Sequence, residues 1–361
     1  MNVLIIMNST NVKLGGGIIQ IILNYKKELD KKDISQTYAI NCIENTNIPQ
    51  LLNGRNSKFI QLPNKKEHLI KYCLELYRLM KDNKFEVVHV HGNSANMLIE
   101  LLIAKLNKIP CRIAHSHNST CKHKLINKIL KPLFKKTYTK ALACSNIAGE
   151  WLFGKNNFSI LNNAIDLTKF CFSESIRETY RNKFKVNKET KIIGNVGNLN
   201  EQKNQEFLLR VFERYNKINP NSLLIIIGEG INKNKLISLS EELKINDSVK
   251  FLGLKTDVNC WMQAMDLFVL PSKWEGFGMV LIEAQAAGLP VLSSNVVPDT
   301  VKVNKDVYLL DLNKNSLSQW AKNISELIEK PIDRSIDTKK FKEYDINVQS
   351  EKLLKYYGIN N

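Results

Sequence analysis

Short apolar runs alternate with longer stretches of helical spacing along almost the whole chain, and no other feature constrains the fold as tightly. The runs fall at 3–7, 38–43, 87–90, 112–114 and 141–144, and after residue 170 at 191–196, 223–227, 249–252, 267–270 and 291–293. Between them, 69–80, 97–106, 206–218 and 233–243 carry apolar residues at helical spacing. Strands alternating with helices imply βαβ units and parallel sheets. The chain has 361 residues, more than one ordinary core accommodates. The expected fold is therefore α/β, with two successive doubly wound, Rossmann-like units joined near 163–172. Open sheets of this kind bind ligands at the carboxyl ends of their strands. The cleft between two such units is the expected site, and residues just past a strand are its first candidates.

Composition narrows the setting. The start, MNVLIIMNST, has no basic n-region and only a short apolar run, and no apolar stretch approaches the ~18 residues of a membrane span. A protein of the cytoplasm is expected. Its seven cysteines are scattered and never spaced as CxxC, which argues against a disulfide framework or a zinc site. The net charge of +17 is uneven: residues 1–170 hold 25 Lys and Arg against 11 Asp and Glu. Such a half suits an anionic partner, or follows from a Lys-rich composition alone.

The most informative segment is 266–294, DLFVLPSKWEGFGMVLIEAQAAGLPVLSS. A buried strand ends at Pro271 and opens into a loop holding Glu275, Gly276, Phe277 and Gly278. A helix then runs over 279–287 and carries Glu283. The glycines allow close backbone approach, and the helix start offers unpaired N–H groups to an anion. The segment resembles the E-x7-E motif of the retaining GT-B glycosyltransferases, family 4, of the bacterial capsular and exopolysaccharide type. The resemblance places Glu275 beside the donor sugar and Glu283 on the ribose hydroxyls of the nucleotide. An ionised carboxylate accepts two vicinal hydroxyl donors well.

Other segments extend the resemblance. Gly15-Gly16-Gly17 follows the first strand and is similar to the family's glycine-rich loop, which puts Gly16 and Gly17 beside the donor. The segment 197–203, GNLNEQK, resembles the pair of cations that neutralises the donor diphosphate. Lys203 matches; Asn198 stands where the family has an arginine, so a neutral amide replaces a charged fork. Gly228-Glu229-Gly230 resembles the turn near the base, and Asn162 to Asp166 the interdomain linker. The resemblance also carries the last helix back onto the first domain. The expected domains are 1–168 with 341–361, binding acceptor, and 169–340, binding the nucleotide-sugar.

All six histidines lie between 68 and 123. His89 and His91, and His115 and His117, form two HxH pairs at strand ends. By resemblance His117 faces the donor sugar and acts in catalysis with Glu275 and Lys203; His91 and His115 are its neighbours, with core or hydrogen-bonding roles. No acidic or Cys ligand sits beside them, so no metal is expected there. No Asp-x-Asp occurs in the chain, which suits a mechanism without a divalent cation on the diphosphate and without any cofactor. The stretch 122–136, KHKLINKILKPLFKK, makes a basic amphipathic helix. It docks on the sheet with a solvated Lys face, or it meets an anionic membrane.

The resemblance implies a retaining transfer from a nucleotide-sugar, with UDP first among the nucleotides, to an acceptor hydroxyl in cell-surface polysaccharide biosynthesis. The departing diphosphate takes the acceptor proton, and closure of the domains positions the reactants. The transferred group is a hexose or an N-acetylhexosamine. The acceptor is a glycan or a lipid-linked saccharide, which suits peripheral placement on the inner face of the plasma membrane. Competing readings are a UDP-sugar epimerase of the same fold and an inactive sugar-nucleotide-binding homologue. A nucleic-acid partner is not expected, because no basic stripe with interleaved aromatics occurs.

Overall fold

The computed structural model describes residues 1–8, 12, 17–41, 47–121, 123–313, 316–330 and 333–359. Its contacts divide the chain into two compact units, Met1–Ile165 with Glu343–Asn361, and Asp166–Lys342.

The first unit holds strands β1 (Asn2–Met7), β2 (Ser35–Ile40), β3 (Ser57–Gln61), β4 (Val87–Gly92), β5 (Cys111–Ser116), β6 (Lys140–Ala143) and β7 (Ser159–Ile160). They form one sheet in the order β3-β2-β1-β4-β5-β6-β7. All its paired strands are parallel. The second unit repeats the plan with β8 (Lys191–Val196), β9 (Ser222–Ile227), β10 (Val249–Gly253), β11 (Leu267–Leu270), β12 (Val291–Ser294) and β13 (Val307–Leu310), in the order β10-β9-β8-β11-β12-β13. The apolar runs become strands because helices cover both sheet faces; every residue of β9 and β11 is buried. Strand order reverses between β1 and β4 and again between β8 and β11. The crossovers leave those two edges in opposite directions, opening a crevice at the carboxyl ends.

Three strands escaped the sequence reading. β3 and β13 are edge strands with one buried residue each, β3 also carrying Ser, Lys and Gln, and β7 is an edge strand of only two residues. The run expected at 38–43 begins earlier, at Ser35, because Gln36 and Thr37 are buried within the sheet.

The C-terminal helix Ile346–Tyr357 packs Ile346, Leu353, Leu354 and Tyr357 into the first unit's core with Ile19, Ile22 and Tyr25 of the helix Gly17–Leu29. Ile165 pairs with Asp345, and the N–H of Ile346 reaches the carbonyl of Ile165 at 3.0 Å. Six cysteines in the described residues are free. Among those residues, no helix is long and apolar enough to cross a membrane.

Candidate active site

In the second unit the loops after β8 and β11 emerge on either side of the strand-order reversal and are stitched together. The N–H of Lys273 donates to the carbonyl of Gln202 at 2.8 Å, and the Gln202 amide donates to the carbonyl of Trp274 at 3.0 Å. Lys203 Nζ lies 2.5 Å from Glu275 Oε1, with both side chains largely buried. The Ser272 hydroxyl donates to the same Oε1 at 2.7 Å, and Ser294 donates to the Ser272 carbonyl at 2.6 Å. Glu275 is thus held by a cation and a hydroxyl that are themselves fixed by strand ends. Two of the three residues expected to act in catalysis meet here, although they are 72 positions apart.

Glu283 lies in the helix Met279–Ala286. Burial pushes its carboxyl up to about 7, and the ammonium of Lys203 offsets part of that. Gly278 caps this helix at φ +84, a left-handed conformation that a side chain adopts at a cost. The turn is therefore built for glycine, and the first N–H groups of the helix follow it directly. Phe277 is buried and anchors the loop, with Gly276 beside it. The Asn198 carbonyl accepts from the Gln205 amide at 3.2 Å, and Gln205 also leans on buried Asn195. No guanidinium stands at 198. A Cβ on Gly228 would fall 2.0 Å from the carbonyl oxygen of Gly197, so the turns after β8 and β9 nest. Glu229 pairs with Lys233 at 2.7 Å.

The strand ends of the first unit are furnished differently. His89 and His91 on β4, and His115 and His117 at the end of β5, stack ring against ring, with centroids 4.1 to 5.3 Å apart. Nδ1 of His89 meets the hydroxyl of Tyr357 at 2.9 Å, and Nε2 meets Nδ1 of His115 at 3.2 Å. Nδ1 of His91 meets Nε2 of His117 at 2.8 Å. Burial drives the affinity of all four for protons down, well below the usual value for His89, His91 and His115 and to about 4 for His117. The imidazoles are neutral at physiological pH. Ring nitrogens of His89, His91 and His115 lie within 4.8 Å of one another, the one group among the described residues close enough to share a metal ion. An ion there would have to displace the hydrogen bonds just given.

Gly17 opens the helix Gly17–Leu29, and a Cβ there would meet nothing, so packing does not demand the glycine. Gly15 and Gly16 lie outside the described residues. The sequence reading missed Ser272, Ser294, Gln202 and Tyr357. The Pro-Ser before Glu275 was a signal for the first; the others are common residue types whose role depends on distant partners.

Two families match successive parts of the chain. One described as Glycosyl transferases group 1 matches residues 176–347, and one described as Glycosyl transferase 4-like matches residues 26–146. The chain is a glycosyltransferase with the GT-B fold. It is 28% identical over 267 residues to the UDP-Gal:alpha-D-GlcNAc-diphosphoundecaprenol alpha-1,3-galactosyltransferase of Escherichia coli, covering 68% of this chain and 67% of that one. To the capsular polysaccharide biosynthesis glycosyltransferase CapH of Staphylococcus aureus it is 28% identical over 300 residues, with 79% and 80% covered. The fold of this glycosyltransferase matches that of Anabaena Alr3699/HepE, solved with UDP-glucose, at a TM-score of 0.80 and 16% identity over 99% of both chains.

Proposed function

We propose that this glycosyltransferase moves a hexose or N-acetylhexosamine from a UDP-sugar to an acceptor hydroxyl, with retention of configuration, in cell-surface polysaccharide biosynthesis. The observation that carries the reading is the convergence of Lys203, Glu275 and Glu283 at the strand-order reversal of the second unit. Glu283 takes the ribose hydroxyls, and Glu275 faces the donor sugar. Lys203 leaves Glu275 to neutralise the diphosphate, aided by Asn198, by the backbone of Gly276, Phe277 and Gly278, and by the helix start behind them. Gly16 and Gly17 flank the donor, and His117 meets a sugar hydroxyl. The cations and amides stand in for a divalent ion, so transfer proceeds in the presence of a chelator and needs no cofactor.

UDP in the names of the relative and of the solved neighbour supports the nucleotide, and the relative's diphosphoundecaprenol acceptor supports a lipid-linked saccharide. The helix Lys124–Phe134 supports peripheral contact with the anionic inner face of the plasma membrane. Leu125, Ile129 and Leu133 are half or more exposed beside Lys128, Lys131 and Lys135. Sedimentation with anionic vesicles that is unchanged when Lys131, Lys135 and Lys136 become Glu would refute that contact.

The functional reading is tested by thermal shift with UDP, GDP, ADP, NAD and a panel of UDP-sugars. A ligand at 100 times its dissociation constant adds about 2.7 kcal/mol. A shift with UDP and one UDP-sugar, lost in Glu283→Ala, is expected; silence with every nucleotide would overturn the donor site. A UDP-sugar that shifts the melt but is neither transferred nor epimerised would identify a non-catalytic homologue.

A further inference from the structure

His91 and His117 come from neighbouring parallel strands, with rings 5.1 Å apart and inclined by only 17°. Where Nδ1 of His91 meets Nε2 of His117 at 2.8 Å, one nitrogen carries the proton and the other the lone pair. The surroundings of His117 decide which. Its second nitrogen, Nδ1, is buried without a hydrogen-bond partner, and so is Oδ1 of Asn163. Asn163 is also the side chain that raises the basicity of His117, as a carbonyl oxygen near an N–H does. An acceptor facing Nδ1 favours the proton on Nδ1. Nε2 then keeps its lone pair and accepts from His91.

A parallel chain braces the arrangement from behind. The Tyr357 hydroxyl lies 2.9 Å from Nδ1 of His89, and Nε2 of His89 lies 3.2 Å from Nδ1 of His115, whose own Nε2 is buried without a hydrogen-bond partner. His89 stacks on His91, and His115 lies against His117, each at 4.1 Å. A cavity of about 10 Å³ beside His89, His91, His115, Tyr25, Tyr38 and Tyr357 has room for about one water.

We propose that His91 is a positioning residue for sugar transfer: by donating from Nδ1 it holds His117 as the Nδ1–H tautomer. The N–H of His117 and Oδ1 of Asn163 then form a donor–acceptor pair matched to a single substrate hydroxyl. A hydroxyl accepts from the first and donates to the second, whereas an ether or carbonyl oxygen satisfies only one. The inference rests on the reading of His117 as sugar-facing.

Histidine-selective 15N NMR of the full chain tests it, with His117 assigned by comparison with H117Q. Wild type should show His117 protonated on Nδ1. In H91L the His117 signal should move toward the Nε2–H tautomer, and turnover should fall ~10- to 100-fold with donor KM within about threefold. H91N, whose amide nitrogen stands near the place of Nδ1, should restore the tautomer and most of the lost turnover. Protonation of wild-type His117 on Nε2, or a tautomer unchanged in H91L, would overturn the proposal. So would a stoichiometric transition metal on these rings in the purified chain. If H91L does not fold, the wild-type and H91N spectra decide the question. The tautomer is read without turnover, so a chain that transfers no sugar would sink the functional reading and leave this test standing.

Discussion

The two units share one plan and furnish it with opposite chemistry. At the strand-order reversal of the first unit sit four stacked imidazoles, neutral and bonded to one another and to a tyrosine. At the same place in the second unit sit an ammonium and two carboxylates. A neutral array costs less to bury than an ionic one because no charge loses its hydration. An ionic one persists only while its charges are matched, so Lys203 and Glu275 pair in the absence of donor. On the proposed function, similar sheets divide the labour: one end orients hydroxyls, and the other handles negative charge.

The sharpest way to break that division is Glu275→Gln. It keeps the shape, removes the charge beside Lys203, and should lower kcat by ~10²–10³ with donor affinity held or improved. Unchanged kcat would show that the carboxylate does no more than store the lysine. Next in size, Glu283→Ala should weaken UDP binding ~10- to 100-fold in calorimetry, the loss of hydrogen bonds to a charged group. An equal loss with a nucleotide lacking ribose hydroxyls would remove Glu283 from the ribose.

Acid should separate the units. The four histidines bind protons more weakly folded than unfolded, so the first unit loses stability as pH falls below 6.5, with the His117 share lost by about 4. Glu283 is the reverse case. Its folded value of about 7 exceeds the ordinary 4.5, so its effect is to make the second unit more stable as pH falls across that window. His117 and Glu283 each contribute roughly 3 kcal/mol. Hydrogen exchange at pH 7.5 and 5 should show protection falling in β4 and β5 and not in the helix Met279–Ala286. Equal loss in both would erase the contrast. The smallest effect expected is from Asn198→Arg. A second cation should tighten UDP about fivefold, close to 1 kcal/mol, and no gain would mean that the nested turns already satisfy the diphosphate.

Much of this was legible in the residues. Buried parallel strands need apolar residues on both faces, so the central strands announced themselves, while β3, β7 and β13 lie at or near edges where burial asks less. Glu275 and Glu283 stood out in the sequence because their spacing is local, set by one loop and one helical turn. The partnership of His89 with Tyr357 could not be found that way, since 268 positions separate them.

What the chain dictates by itself is therefore the local part: two runs of alternating strand and helix, a glycine cap at 278, a carboxylate on either side of it, and HxH pairs whose period of two puts each pair on one face of the sheet. Tertiary structure alone decided the rest. It brought Lys203 to Glu275, set Ser272 and Ser294 beneath them, closed the helix Ile346–Tyr357 over the histidines and chose which imidazole meets which. Those outcomes depend on strand order and on burial, which determine both the neighbours of a polar group and the cost of leaving it without one.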